Sequence, residues 1–131
     1  MSSLSDRLKS ILNYVAQQVK TIVPNTFLST RERINPPCAF ITIADHHIDQ
    51  LSLDSVRHEC RINVAIMHES PDIETGYLEL IDKLCSVREV LQQDRTLGGL
   101  VIDSLITRLS FPERQYFRHI GILTLVCWWR E

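Results

Sequence analysis

Residues 56–67 constrain this chain more than any other stretch, because Val56, His58, Cys60, Ile62, Val64 and Ile66 alternate with Arg57, Glu59, Arg61 and Asn63. Successive side chains of a strand point to opposite faces, so strict alternation predicts a strand with one face in a core and the other open. Something must then lie against the apolar face. Two helical stretches can do so. Over residues 4–22 the apolar side chains fall at Leu4, Leu8, Ile11, Leu12, Val15, Val19 and Ile22, which is the spacing of one helical stripe. Ser3 or Ser5 can cap it, Asp6 complements its positive end, and Pro24 stops it. Burying that stripe contributes about 10 kcal/mol gross, most of it offset by chain entropy.

Ser70-Pro71 predicts the start of the second helix, with serine as cap and proline at the first helical position. Its stripe is Ile73, Tyr77, Leu80, Leu84, Val87 and Leu91, and it ends before the turn at Leu97-Gly98-Gly99. Residues 38–44 (CAFITIA) form a compact β-branched run, which predicts an inner strand covered on both faces. Residues 100–109 and 116–129 are predicted as further strands, joined through Phe111-Pro112-Glu113. Residues 25–37 contain a possible short strand at 27–30, two arginines and a double proline, and predict an extended arm. Residues 45–55 (DHHIDQLSLDS) predict a protruding loop. The fold class is therefore α+β, an antiparallel or mixed β-sheet with two amphipathic helices packed on one face, in a single domain spanning 1–131.

Hydrophobic residues make up 44% and charged residues 23%, the balance of an ordinary globular chain. A net charge of -2 lacks the basic excess that phosphate binding requires, which argues against sequence-specific nucleic acid as a partner. The N-terminal stretch spaces its charges and has no unbroken apolar run, so neither a signal peptide nor a membrane span is expected, and folding in a cytoplasm is. Cys38, Cys60, Cys85 and Cys127 lack the close pairing of a zinc or redox motif and are expected as reduced thiols.

Asp45-His46-His47-Ile48-Asp49 is the stretch with metal-ligand chemistry, and a small metal-dependent enzyme built on Asp45, His46, His47 and His58 is one reading of it. Neighbouring side chains on an extended chain diverge, however, so His46 and His47 are expected not to grip one ion, and neither metal nor other cofactor is expected. His58 is expected as a hydrogen-bonded core or border residue, and His68 and His119 as structural or solvent-facing. No nucleophile motif is present, and Gly98-Gly99 lacks the lysine and helix start of a phosphate loop. A catalytic role is not expected.

The order of elements, with Pro36-Pro37-Cys38-Ala39-Phe40-Ile41-Thr42-Ile43, the alternating strand 57–67, the helix 73–91, Asp94-Arg95-Thr96-Leu97-Gly98-Gly99-Leu100-Val101 and the final Val126-Cys127-Trp128-Trp129, resembles the tail terminator family of long-tailed bacteriophages. The likeness lies in the final strand as an element; the double histidine and the tryptophan pair in which that strand ends are not matched to the family as individual features. The resemblance implies a ring-shaped homo-oligomer, a hexamer, that caps the tail tube, stops its polymerisation and offers a platform for head-tail joining. Its implied partners are the phage tail tube protein and the head-tail connector, with host cytoplasm during assembly and the virion tail afterwards as locations. A monomeric adaptor domain is the remaining alternative.

The last strand carries apolar residues on both faces: Ile120, Ile122, Val126 and Trp128 on one, Leu123, Leu125, Cys127 and Trp129 on the other. Helices on one side cannot cover both. Trp128 is expected in the core and Trp129 on the second face. Expected contact residues are Phe27, Arg31 and Arg33 of the arm, Ile48, Leu51 and Leu53 of the loop, the strip Arg57, Glu59 and Arg61, and Trp129.

Overall fold

The computed structural model describes residues 3–28, 35–112 and 118–131. The element order is α1 (Leu4–Lys20), β1 (Thr26–Phe27), β2 (Cys38–Gln50), β3 (Val56–Glu69), α2 (Ile73–Gln92), β4 (Asp103–Ser110) and β5 (Arg118–Arg130). The five strands form one mixed sheet in the order β1-β2-β3-β5-β4, with β1 parallel to β2 and every other pair antiparallel. This is the α+β class that the alternation and the two stripes require.

β3 occupies the middle because its whole length finds partners on both sides, β2 and β5. Its apolar set, Cys60, Ile62, Val64 and Ile66, is fully buried beneath Ile11, Val15 and Val19 of α1 and Leu80, Leu84 and Val87 of α2. Ser3 caps α1, its hydroxyl accepting from Asp6 N–H, and the helix ends at Lys20, ahead of Pro24. α2 starts later than Ser70-Pro71 suggests. Asp72 is the cap, its carboxylate accepting from the N–H groups of Glu74 and Thr75, because it satisfies two orphan donors where Ser70 satisfies neither. The turn at Leu97-Gly98-Gly99 runs through three left-handed residues, φ 50, 72 and 84°, and the buried Leu97 side chain anchors it.

Residues 45–50 are strand, which corrects the loop expected over 45–55. A bulge between Ile43 and Asp45 shifts the alternation by one residue: Ile41 and Ile43 precede it on the helix side, His46 and Ile48 follow it there. The broken pattern reads as a loop in sequence although the strand continues to Gln50. Only 51–55 turn back, with Leu51 N–H donating to Ser55 C=O. β2 is also an inner strand over only part of its length, since β1 pairs with it at Ala39 and Phe40 alone. β4 starts at Asp103 rather than at residue 100. The arm residues Arg31 and Arg33, Glu113 of the connection and Tyr116 at the expected start of the last strand lie outside the described residues.

The two tryptophans are reversed relative to expectation. Trp129 is 1% exposed in the helix-covered core, in line with Cys127, Leu125 and Leu123, and Trp128 lies on the opposite face with Val126, Ile122 and Ile120. The strand has the predicted two sets, and no bulge interrupts its pairing with β3. Gly121 decides which set faces the helices. A Cβ there would stand 2.3 Å from Leu84 Cδ1, so α2 closes onto the sheet only where the strand shows it a glycine.

Candidate functional site

The helices cover one face of the sheet, and among the described residues no helix lies on the other. Cross-strand pairing assigns the open face its residues: Thr42, Asp45, His47 and Asp49 on β2, Arg57, Glu59, Arg61, Asn63 and Ala65 on β3, Thr124, Val126 and Trp128 on β5, and Leu105 and Arg108 on β4. A second bulge, between Ile106 and Arg108, sits at the level of the Ala44 bulge on the far side of the sheet. Both outer strands bend there. Between them opens a polar hollow of about 540 Å³, lined by Asp45, Glu59, Arg61, Asn63, Arg108 and Thr124 among others. Asn63 accepts a hydrogen bond from the Thr124 hydroxyl at 3.1 Å across its floor, and Arg61 lies 3.9 Å from Asp45.

At the hairpin end of this face Trp128 stands half-buried between Glu59 and Asp103 on the flanking strands, with the Arg57 guanidinium 5.9 Å from its ring. At the other end Phe27 stacks on Phe40 at 6.1 Å. The expected strip Arg57, Glu59 and Arg61 is thus brought together on one surface. Trp128 takes the place on it assigned to Trp129. Ile48, Leu51 and Leu53 sit at the hairpin end, 53%, 50% and 99% exposed, so this apolar tip is left uncovered by the chain's own packing.

The histidines do something that sequence spacing does not reveal. His46 and His47 diverge, as neighbours on a strand must, and His47 bonds Asp49 on the open side at 2.9 Å. His46 turns to the helix side, where its Nε2 meets His58 Nδ1 at 2.9 Å, one ring donating and the other accepting. His58 is 3% exposed, stacks on Trp129 at 5.1 Å and places Nε2 3.1 Å from a Glu131 carboxylate oxygen. Arg7 completes the cluster: its guanidinium lies 5.7 Å from the Trp129 ring and donates to Leu100 C=O. The cluster locks hairpin, C-terminal strand and α1 together. His68 and His119 are buried too, His68 against Glu79 of α2 at 2.5 Å. Asp45, His46 and His47 therefore do not converge, and among the described residues no group of three or more His, Cys, Asp or Glu side chains could hold a metal ion. A second cleft, about 190 Å³ between Tyr77, Phe111 and His119, is below the usual size of a small-molecule site.

Burial holds the His46 imidazole below its ordinary pKa, the His58 ring adds to this and Glu131 opposes it. The folded chain thus takes up that proton less readily than the unfolded one, whose value is near 6.5. Between the two values the unfolded state binds more protons, so this contribution is complete above the unfolded value and is lost as pH falls through the folded one. Urea midpoints should fall between about pH 7.5 and about pH 5.5, and His46→Gln should narrow that fall. An unchanged pH dependence in the variant would refute the assignment.

No family model matches the chain. No curated protein matches it in sequence. Among solved structures, its fold is similar to that of a chain from a structure described as the virion of native gene transfer agent (GTA) particle, at 5% identity and a TM-score of 0.53, covering 92% of this chain and 94% of that one. At that identity the likeness is one of fold, and it extends over nearly the full length of both chains.

Proposed function

We propose that this chain is a structural subunit of a phage-like virion that assembles as a hexameric ring on the end of a tail tube, stops tube growth and presents a surface for head-tail joining. The observation that carries this reading is the near end-to-end fold match to a chain of a virion particle. It agrees with the resemblance drawn from the order of elements. Chemistry supports it too: Trp128 and Arg57 on the open face, and the exposed apolar hairpin tip Ile48, Leu51 and Leu53, are the residue types on which protein interfaces concentrate their binding energy or exclude water. The partners in this reading are further copies of the chain, the tail tube protein and the head-tail connector. Its place is the host cytoplasm during assembly and the virion tail afterwards. The role is non-enzymatic.

The test is a tube assembly assay. Tail tube protein polymerised with increasing amounts of this chain should give shorter tubes carrying a ring at one end, and sedimentation equilibrium should find a hexamer, free or on the tube. A strict monomer that leaves tube length unchanged would remove the reading.

A further inference from the structure

Among the described residues the sheet ends in two edges that no strand of the chain pairs with. Past Ala39 and Phe40 no described strand lies beside β2, and β4 closes the opposite side. An unpaired edge is a row of free N–H and C=O groups, a template for another strand, and natural sheets blunt such edges with lysine or proline. Neither β2 nor β4 contains either residue. One bulge interrupts each edge, which leaves 45–50 and 103–106 as regular runs. Apolar side chains remain exposed along both, Ile43 at 37% and Ile48 at 53% on β2 and Leu105 at 44% on β4.

The two edges also differ in charge. From Cys38 to Val56 the chain carries Asp45, Asp49 and Asp54 and no lysine or arginine. On the other side Asp103 is neutralised by a bidentate Arg95 at 2.8 Å, while Arg108 has no carboxylate partner among the described residues. Although Arg61 stands 3.9 Å from Asp45 and His47 2.9 Å from Asp49, β2 and its turn carry formal charges of acidic sign alone, whereas on β4 Arg108 is the charge left without a carboxylate partner among the described residues.

We infer that the free half of β2 in one copy pairs with β4 of the next, so that the sheet continues from subunit to subunit. This rests on the ring-forming reading above and names its contact. The two surfaces are different, so the contact is head-to-tail and each copy keeps one edge of each kind for its neighbours, the arrangement that closes into a ring when the rotation allows. A symmetric β2-to-β2 contact would be antiparallel, and centred on the regular run it would set Asp45 of one copy opposite Asp49 of the other, where like charges on facing strands are destabilising.

Cysteine cross-linking tests the contact while leaving the carboxylates of β2 and Arg108 of β4 in place. Cys85 is the exposed native thiol and Cys38, Cys60 and Cys127 are buried, so a Cys85→Ser chain is the background. His47→Cys on β2 and Thr107→Cys on β4 are introduced singly and together, and treated with a flexible bismaleimide with tail tube protein present. A mixture of the two single variants should give cross-linked dimers, the double variant a ladder, and each single variant alone only monomers. Dimers from either single variant alone would overturn the head-to-tail contact. A ring seen by sedimentation with no cross-link in any variant would overturn edge pairing and leave the ring reading standing. Monomers by both measures would overturn both.

Discussion

Trp129→Ala should cost about 3–5 kcal/mol of stability, the range for emptying a large aromatic site in a core. The indole is 1% exposed, stacks on His58 at 5.1 Å, meets His46 edge-on at 5.5 Å and has the Arg7 guanidinium 5.7 Å from its ring. Removing it opens a cavity and also strips the buried His58 ring of its stacking surface. Trp128→Ala is the contrasting experiment, because Trp128 stands on the open face with Arg57 over its ring. That variant should remain folded, with a thermal midpoint close to the parent's, and should weaken assembly. Thermal melts and sedimentation of both single variants decide the matter. Equal destabilisation by the two would mean that Trp128 belongs to the core and would take the aromatic anchor away from the open face.

Gly121→Ala is expected to be destabilising by about 1–3 kcal/mol, since the added methyl overpacks a closed core. Its Cβ would fall 2.3 Å from Leu84 Cδ1 and 3.1 Å from Cγ, with Leu80 next at 3.4 Å. Leu84 is fully buried and cannot swing into solvent. Either α2 moves off the sheet or the strand bends. Combining the substitution with Leu84→Ala should give a loss smaller than the sum of the two single losses, because each change supplies the space or the volume that the other lacks. Strict additivity in urea unfolding would show that α2 does not close on Gly121.

These two positions mark where reading the chain as a string runs out. The apolar sets of the last strand were legible as two alternating series, Ile120, Ile122, Val126, Trp128 and Leu123, Leu125, Cys127, Trp129, because a strand repeats every two residues whatever it packs against. Which set faces the helices was not legible. Both are apolar, and the choice rests on a close approach between Gly121 and Leu84, residues on different elements. The hairpin shows the same limit in another form. Ala44 adds one residue to β2, the register against β3 slips, and the alternation that would have announced a strand over 45–50 is broken. Arg57, Glu59 and Arg61 do share one face of the sheet, as the alternation of β3 required.

What the sequence determined by itself is therefore local and periodic. The helices α1 and α2, the alternation of β3 and the divergence of His46 from His47 follow from 3.6- and 2-residue repeats that need no knowledge of the rest of the chain. Only the tertiary structure decided that His46 and His58 meet over Trp129, that twin bulges hollow the open face, and that Trp128 rather than Trp129 stands on it. Each of these depends on register between strands far apart in the chain, and a one-residue shift in register moves every side chain beyond it to the opposite face.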